Sequence, residues 1–434
     1  MTSVILGHCY TTKNKGDAGI VIATIETIKK QSPGVRIRGM STFSSRDQEF
    51  IHHHEDYRAS GAEMVPALLP EDKLYLFGKT LRSPIAKIFS VVKNCYLLAQ
   101  GYLLHSLNPK WAFGDVGQAL RALDDADVFI SKGGSFIYNE GGIRGDISLF
   151  KLLIPFWVAK SLGLRTIILG QSLGPFNTVL SKHLFKWFLP SIDKIYLRER
   201  RCLRYLDYLE PASYVDKLDD CPDLAFALTS EGFVPIVDTD DGAPCIGLTI
   251  VNHRFKTPQA RQAYIEILGQ TIAFLAERYP GARFYIFPQV LSAAVDGSVD
   301  MELSSEVASF CRERHGVPLE LVEGDYDARA LRETYRRMRF FVATRLHSSI
   351  FASTVGVPTI VFGYHGTKAE GIWHDLGFGE LFFDINAVDW QQVRAALETI
   401  TGSEEAVSAG LIERTGQWRK RINDVVGGEL VRNS

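Results

Sequence analysis

At 434 residues the chain is too long for one ordinary core and long enough for two α/β domains. Its 46% hydrophobic and 23% charged residues are the balance of a soluble globular protein, and a formal net charge of -2 excludes a general affinity for nucleic acid, so any anion site must be local. No apolar run reaches the ~20 residues of a bilayer span, and Met1-Thr2-Ser3-Val4 enters a strand-like stretch with no basic leader, which predicts a cytoplasmic protein.

Short apolar runs alternate with longer amphipathic stretches, the pattern of parallel strands joined by crossover helices. In the first half the strands are expected at residues 4–6, 35–39, 128–130, 166–169, 194–197 and 214–215, with helices beginning near Asp17, Ile147, Val179 and Arg200. A second series is expected at residues 245–250, 283–287, 319–322, 340–343 and 359–362. Between the two, residues 229–244 carry Gly232, Pro235, Gly242, Pro244 and the acidic run Asp238 to Asp241, a composition suited to a connector. The domains are therefore read as 1–230 and 244–385, with 386–434 as terminal helices that return to the first domain.

One stretch of the first domain, 73–114, has no Asp or Glu, while Lys73, Lys79, Arg82, Lys87, Lys93 and Lys110 punctuate aliphatic and aromatic residues. Two readings stand: a long crossover helix over the sheet, or a segment that touches the membrane interface with its cationic and apolar faces. The six cysteines are scattered without a close pair, which predicts reduced core thiols and no zinc or redox motif. His52-His53-His54 points its rings in different directions and predicts no metal. Phe156, Trp157, Trp187 and Phe188 lie at helical spacing and read as core.

Ligands of doubly wound sheets bind at the carboxyl ends of the strands, so polar glycine-bearing turns there are the candidates. Asn14-Lys15-Gly16-Asp17 follows the opening strand, Gly133-Gly134-Ser135-Phe136 the strand at 128–130, and Gly170-Gln171-Ser172 the strand at 166–169. Leu197-Arg198-Glu199 puts a planar guanidinium at the end of another strand, suited to a carboxylate or phosphate. Strongest is Thr344-Arg345-Leu346-His347-Ser348, where a helix N-terminus, an arginine and a titratable imidazole follow a buried strand. Downstream, His365 and Lys368 come after the strand at 359–362 and extend the same rim.

Taken in order, these motifs, with Lys368-Ala369-Glu370-Gly371-Ile372 and Leu376-Gly377, resemble the polysaccharide pyruvyl transferase family of the colanic acid and amylovoran type. The resemblance implies an α/β fold of two Rossmann-like, doubly wound domains facing a cleft, like the GT-B glycosyltransferases, with the donor held between them. It also implies phosphoenolpyruvate as co-substrate, no cofactor and no metal. Arg198, Arg345 and His347 match the family's donor-binding residues, and Thr344, Leu346, Ser348, Gly133, Gly134, Ser135 and Lys368 are expected beside them. Asn14, Gly16, Gln171 and Ser172 are expected on the acceptor. At Arg201-Cys202 the chain departs from the serine usual in the family, which leaves the role of that helix open.

Ketal formation needs an acid and a base, for which His347 and Asp17 are the candidates, His365 the rival acid and Asp223 an orienting group. The acceptor is expected to be a sugar of an exopolysaccharide or its lipid-linked repeat unit, reached at the inner face of the plasma membrane, with peripheral membrane contact through 73–114. A nucleotide-sugar glycosyltransferase of the same architecture is the nearest alternative. It lacks support in that no Glu-x7-Glu pair occurs between Arg345 and Glu380. A non-catalytic subunit of polysaccharide assembly docked through 73–114 is the other.

Overall fold

Fully buried apolar runs pair in parallel when helices can cover both faces of the sheet, and this chain provides that twice. The computed structural model describes residues 2–70, 74–76, 79–81, 84–237, 242–252, 255, 257–291, 300–364 and 368–431. The first series is β1 (Ser3–Cys9), α1 (Lys15–Gln31), β2 (Arg36–Ser41), α2 (Gln48–His52), α3 (Glu55–Ala59) and β3 (Glu63–Val65). A hairpin, β4 (Leu74–Leu76) and β5 (Lys79–Leu81), leads to the long α4 (Pro84–Leu107) and to α5 (Gly114–Asp124). Then come β6 (Val128–Ser131), α6 (Gly142–Ser161), β7 (Arg165–Gln171), α7 (Val179–Phe188), β8 (Lys194–Leu197) and β9 (Leu218–Asp220).

These strands form a parallel sheet in the order β3-β2-β1-β6-β7-β8-β9, so the winding reverses between β1 and β6. Ile5, Phe129, Ile168 and Ile195 of the sheet share one core with Leu120 and Leu123 of α5, Leu153 and Phe156 of α6, and Phe185 and Phe188 of α7. The three helices therefore cover the same face, as right-handed crossovers in one direction require.

The second series is β10 (Cys245–Leu248), α8 (Pro258–Arg278), β11 (Arg283–Ile286), α9 (Asp300–His315), β12 (Leu319–Leu321), α10 (Ala328–Tyr335), β13 (Phe340–Ala343), α11 (Leu346–Ser353), β14 (Thr359–Gly363), α12 (Lys368–Asp375) and β15 (Phe382–Asp384). Its sheet is parallel too, ordered β12-β11-β10-β13-β14-β15, with the reversal between β10 and β13. Two helices, α13 (Trp390–Gly402) and α14 (Glu404–Val431), complete the chain.

Contacts divide the molecule into one unit of Met1–Thr12, Ile20–Leu224 and Ile422–Ser434 and another of Lys13–Gly19 and Ala225–Arg421. The division falls at Leu224, just ahead of the Gly- and Pro-bearing connector. Within the first unit the end of α14 is fixed by Glu429, which is buried, accepts from Tyr196 Oη at 2.6 Å and pairs with Arg165 at 2.5 Å.

Several local expectations are corrected. Residues 214–215 are not a strand: Val215–Lys217 is a 3-10 turn, and the edge strand is the polar Leu218–Asp220, selected by its ladder with β8 rather than by apolar character. The helix expected at Arg200 is a seven-residue 3-10 helix, Arg200–Leu206, whose N-cap Glu199 accepts from Cys202 N at 3.0 Å. The helix expected near Ile147 starts earlier, at Gly142. In the aromatic quartet Phe156 and Phe188 are core, but Trp157 and Trp187 are 42% and 63% exposed, because neighbouring positions on a helix point about 100° apart. The stretch 73–114 contains the long helix α4, and its residues 73, 77, 78, 82 and 83 lie outside the described residues.

Two buried histidines of the first unit are held neutral. His8 sits at positive φ (64°) where the β1–β2 register shifts, and its ring bonds Ser131 Oγ at 2.9 Å and the Leu152 carbonyl at 2.8 Å. Burial lowers its pKa to about 4, against the stabilising Leu152 bond and with help from the Lys132 charge. His54, bonded to Ser41 Oγ and the Glu49 carbonyl, is likewise lowered by burial to about 4.

Candidate active site

The second unit places Thr344 to Ser349 at the end of β13, beside the reversal of strand order, where a doubly wound sheet opens a crevice. Hydroxyls lock this turn. Thr344 Oγ1 donates to the Thr249 carbonyl at 2.7 Å and accepts from Val251 N at 2.8 Å, while Thr249 Oγ1 accepts from Thr344 N at 3.1 Å and lies 2.8 Å from Ser348 Oγ. Ser348 Oγ donates to the Arg345 carbonyl at 2.6 Å, and Trp373 Nε1 donates to Ser349 Oγ at 3.0 Å. Thr344 and Ser348 are buried, whereas Arg345, Leu346 and His347 retain partial exposure. The helix that starts here, α11, has no side-chain cap, so its first N–H groups can serve an anion.

Arg345 is aimed by a residue that sequence reading missed. Asp300, fully buried at the start of α9, accepts from Arg345 Nη2 at 2.6 Å and Nε at 3.2 Å, and from the backbone N–H groups of Gln289 and Val290, each at 3.1 Å. One carboxylate thus fixes the guanidinium to the turn after β11. Tyr364, after β14, receives a bond from Arg345 Nη1 at 3.1 Å. A charge-assisted fork of this kind is worth more than a neutral bond and fixes orientation as well.

The segment Lys13–Gly19 belongs to this same unit. Asn14 bridges Val290 in antiparallel fashion, Lys15 N donates to the Gln289 carbonyl at 3.0 Å, and Leu291 N donates to the Lys13 carbonyl at 3.1 Å. Helix α1 then starts against α11 with no room for side chains. A Cβ on Gly16 would lie 2.1 Å from His347 Nδ1, and one on Gly19 would lie 2.6 Å from the Phe351 ring. Gly16 lets the His347 imidazole, and Gly19 the Phe351 ring, rest on the α1 backbone. Asp17, next in sequence, accepts from Asn14 Nδ2 at 2.9 Å. Lys13 and Lys15 both pair with Asp325, which follows β12. Burial opposes the charge of Asp325, but the Lys15 and Lys13 ammoniums outweigh it and hold the carboxyl below its usual range.

The first unit builds its strand-end turns from backbone. Gly134 N donates to the Gly170 carbonyl at 3.0 Å and Ser172 N to the Gly134 carbonyl at 2.9 Å, tying the turns after β6 and β7 together. A Cβ on Gly133 would strike the Leu169 and Gly170 carbonyls at 2.6 and 2.7 Å. Arg198, after β8, is buried: its Nε donates to Ser172 Oγ at 2.8 Å and its Nη1 to the fully buried Asp223. Gln171 is buried as well, its Nε2 donating to the Ser172 carbonyl at 2.8 Å, and Ser135 is partly exposed.

Of the expected residues, Asn14, Gly16, Asp17, Thr344, Arg345, Leu346, His347 and Ser348 come together in the second unit, and Lys368 opens α12 there. Gly133, Gly134, Ser135, Gln171, Ser172 and Arg198 come together in the first. His365 lies outside the described residues. Asp325 was within reach of the strand-end rule, since it follows a strand as Arg345 does; Asp300 opens a helix and carries no such signal. Among the described residues no cluster of His, Cys, Asp and Glu has the geometry to hold a metal ion. A separate pocket of about 380 Å³, lined by Arg332, Arg336 and Arg419, sits by the C-terminal ends of α10 and α11, away from the strand-end turns. There Arg332 donates to the Thr354 carbonyl and to Ser230, and so secures the end of α11.

The fold has solved relatives. A UDP-GlcNAc 2-epimerase from Neisseria meningitidis bound to UDP-GlcNAc superposes with a TM-score of 0.56 at 11% identity, over 100% of this chain and 99% of that one. A putative UDP-N-acetylglucosamine 2-epimerase from Listeria monocytogenes gives 0.53 at 12% identity, over 95% and 90%. The glycotransferase of kitacinnamycin gives 0.52 at 12% identity, over 99% and 98%. At such identities the likeness is one of fold, the two-domain α/β fold of GT-B type. Among curated proteins no sequence relative is found. The sequence itself matches the family model of the polysaccharide pyruvyl transferases over residues 14–366. With the match spanning most of the chain and both sets of strand-end turns, the protein belongs to the polysaccharide pyruvyl transferase family and is a transferase.

Proposed function

We propose that this enzyme moves pyruvate from phosphoenolpyruvate onto two hydroxyls of one sugar, in an exopolysaccharide or its lipid-linked repeat unit, forming a cyclic ketal. The reaction takes place in the cytoplasm at the inner face of the plasma membrane and needs no cofactor. Phosphoenolpyruvate is small and multiply anionic, so its site needs fixed cations and N–H groups. Arg345, held by Asp300, and the uncapped start of α11 supply them, with Lys368 assigned to the donor from the start of α12.

In the proposed reaction His347 gives a proton to the methylene carbon of the donor. A sugar hydroxyl oxygen bonds to the neighbouring carbon and gives its proton to Asp17. The carbon–oxygen bond to phosphate then breaks, phosphate leaves with the electron pair, and the second hydroxyl oxygen bonds to the same carbon and closes the ring, its proton passing to the departing phosphate. The products are one ketal and one inorganic phosphate. Asn14 and Gly16 lie beside Asp17 and are assigned to the acceptor, while His365 remains the rival proton donor.

The packing of His347 on Gly16 carries this reading, because it joins a base-bearing turn to an acid-bearing turn on one rim. The test is incubation with phosphoenolpyruvate or with sugar nucleotides in the presence of acceptor polysaccharide, scored by phosphate release, nucleotide release and the mass of the product. Phosphate release with a ketal in the product is expected, and His347→Ala should lower it by about 100- to 10,000-fold. Nucleotide release without phosphate would make the enzyme a glycosyltransferase. Unchanged polysaccharide pyruvate on Arg345→Ala would make it a non-catalytic subunit.

A further inference from the structure

A crossover helix normally buries its apolar stripe and shows its polar one. In α4 Leu98 is buried as expected, but over the described side chains the outward face is largely apolar too. Asn94 and His105 face inward, while Val92, Tyr96, Leu103 and Leu107 are each more than 60% exposed. At 100° per residue these four fall within about 60° of one another, so they form one outward stripe. The exposed apolar surface continues past the helix end at Trp111 and Phe113.

The same face of the first unit carries more of it. Tyr102 of α4 donates to Ser161 Oγ of α6 at 3.1 Å and its ring lies 6.1 Å from that of Trp157, so α4, which packs mainly on α5, touches α6 at this point. Helix α7, which shares the core of α5 and α6, exposes Val179, Leu180 and Trp187. Charge is equally one-sided. Lys93 and Lys110 flank the α4 stripe and Lys186 adjoins Trp187, all exposed, while Lys182 of the same helix, also exposed, holds its ammonium over the Tyr208 ring. Helices α4 and α7 contain no acidic residue, and the single acid of α6, Asp146, is buried.

We infer that the α4–α6–α7 face of the first unit docks on an anionic lipid bilayer, with Tyr96, Leu103 and Trp187 entering the interface and the lysines meeting the headgroups. Asp124 of α5, half exposed beside His105, is an acid at the border of α4, but exposed aromatic and aliphatic side chains interleaved with lysine, on helices that themselves expose no acid, are complementary to a negatively charged interface. No helix among the described residues is long and apolar enough to cross a membrane, so the contact is one of surface. The inference rests on the proposed reaction only for its purpose, which is access to a membrane-borne sugar.

The test is co-sedimentation of the full chain with vesicles of phosphatidylcholine alone and of phosphatidylcholine mixed equally with phosphatidylglycerol. Binding to the mixed vesicles that weakens with salt, with a blue shift of tryptophan emission, is expected. Tyr96→Ser with Leu103→Ser should reduce binding more than tenfold, and Lys93→Glu and Lys186→Glu by roughly fivefold each. Thermal melts and phosphate release with a water-soluble acceptor should stay at the parent level, which separates this surface from the chemistry. Failure to bind the mixed vesicles, equal binding to both kinds, or a dimer in sedimentation velocity that Tyr96→Ser dissociates would overturn the inference.

Discussion

The two sheets present arginines at their strand ends in opposite ways. In the first unit Arg198 is sealed between Ser172 and the fully buried Asp223, among turns made of glycine backbone. In the second, Arg345 keeps partial exposure, aimed by Asp300 and Tyr364 over a turn locked by hydroxyls. The Arg198 side chain is 1% exposed and that of Arg345 11%, so the second fork is the more accessible of two that are both held by buried carboxylates. The same residue type at strand ends of the two sheets thus sits in different settings, and substitution can separate them.

The sharpest separation comes from removing each carboxylate. Asp223→Ala leaves the Arg198 charge buried without its partner and should destabilise the protein by about 3–5 kcal/mol, read from urea unfolding. Asp300→Ala orphans the Gln289 and Val290 N–H groups as well as Arg345 and should cost a similar amount, but it should reduce kcat/KM far more than its stability loss explains. An activity loss on Asp300→Ala no larger than its stability loss explains would erase the distinction.

Acid should find the first unit. His8 and His54 titrate near 6.5 when unfolded and are lowered to about 4 by burial, so the unfolded chain binds more protons throughout that window. Their neutral-state stability is complete above pH 6.5 and is lost as pH falls toward 4, by an amount on the order of 3 kcal/mol each. Urea midpoints at pH 7.5 and pH 5 should fall accordingly, and His8→Asn should flatten the dependence; an unchanged slope would show that His8 titrates normally.

A smaller effect tests the other side of the comparison. Gly16→Ala puts a methyl 2.1 Å from His347 Nδ1 and must displace the imidazole. Stability should fall by about 1–3 kcal/mol while activity falls about 10- to 100-fold. Full activity with a normal melt would mean that His347 is not positioned by this contact.

The long apolar strands and the glycine turns that follow them were legible because burial on both faces writes a continuous run and a turn writes a break. The edge strands β3 and β15, three residues each, carry no such run and are defined by their partners. Helical spacing located Trp157 and Trp187 on helices but could not say which side faces water, and there core was predicted where the structure exposes the ring. Arg345 and His347 were visible from their turn. Asp300, which holds Arg345, was not, since 45 residues separate the pair and nothing local to either announces the other.

Because Lys13–Gly19 belongs with the second unit and Ile422–Ser434 with the first, no single scission yields two intact halves. A fragment ending at Leu224 would lose Glu429, the partner of Tyr196 and Arg165, and its complement would lose the Asn14 bridge to Val290. Limited proteolysis at the connector should therefore leave a nicked but associated protein, and co-expression of the two pieces, rather than either alone, is the route to soluble material.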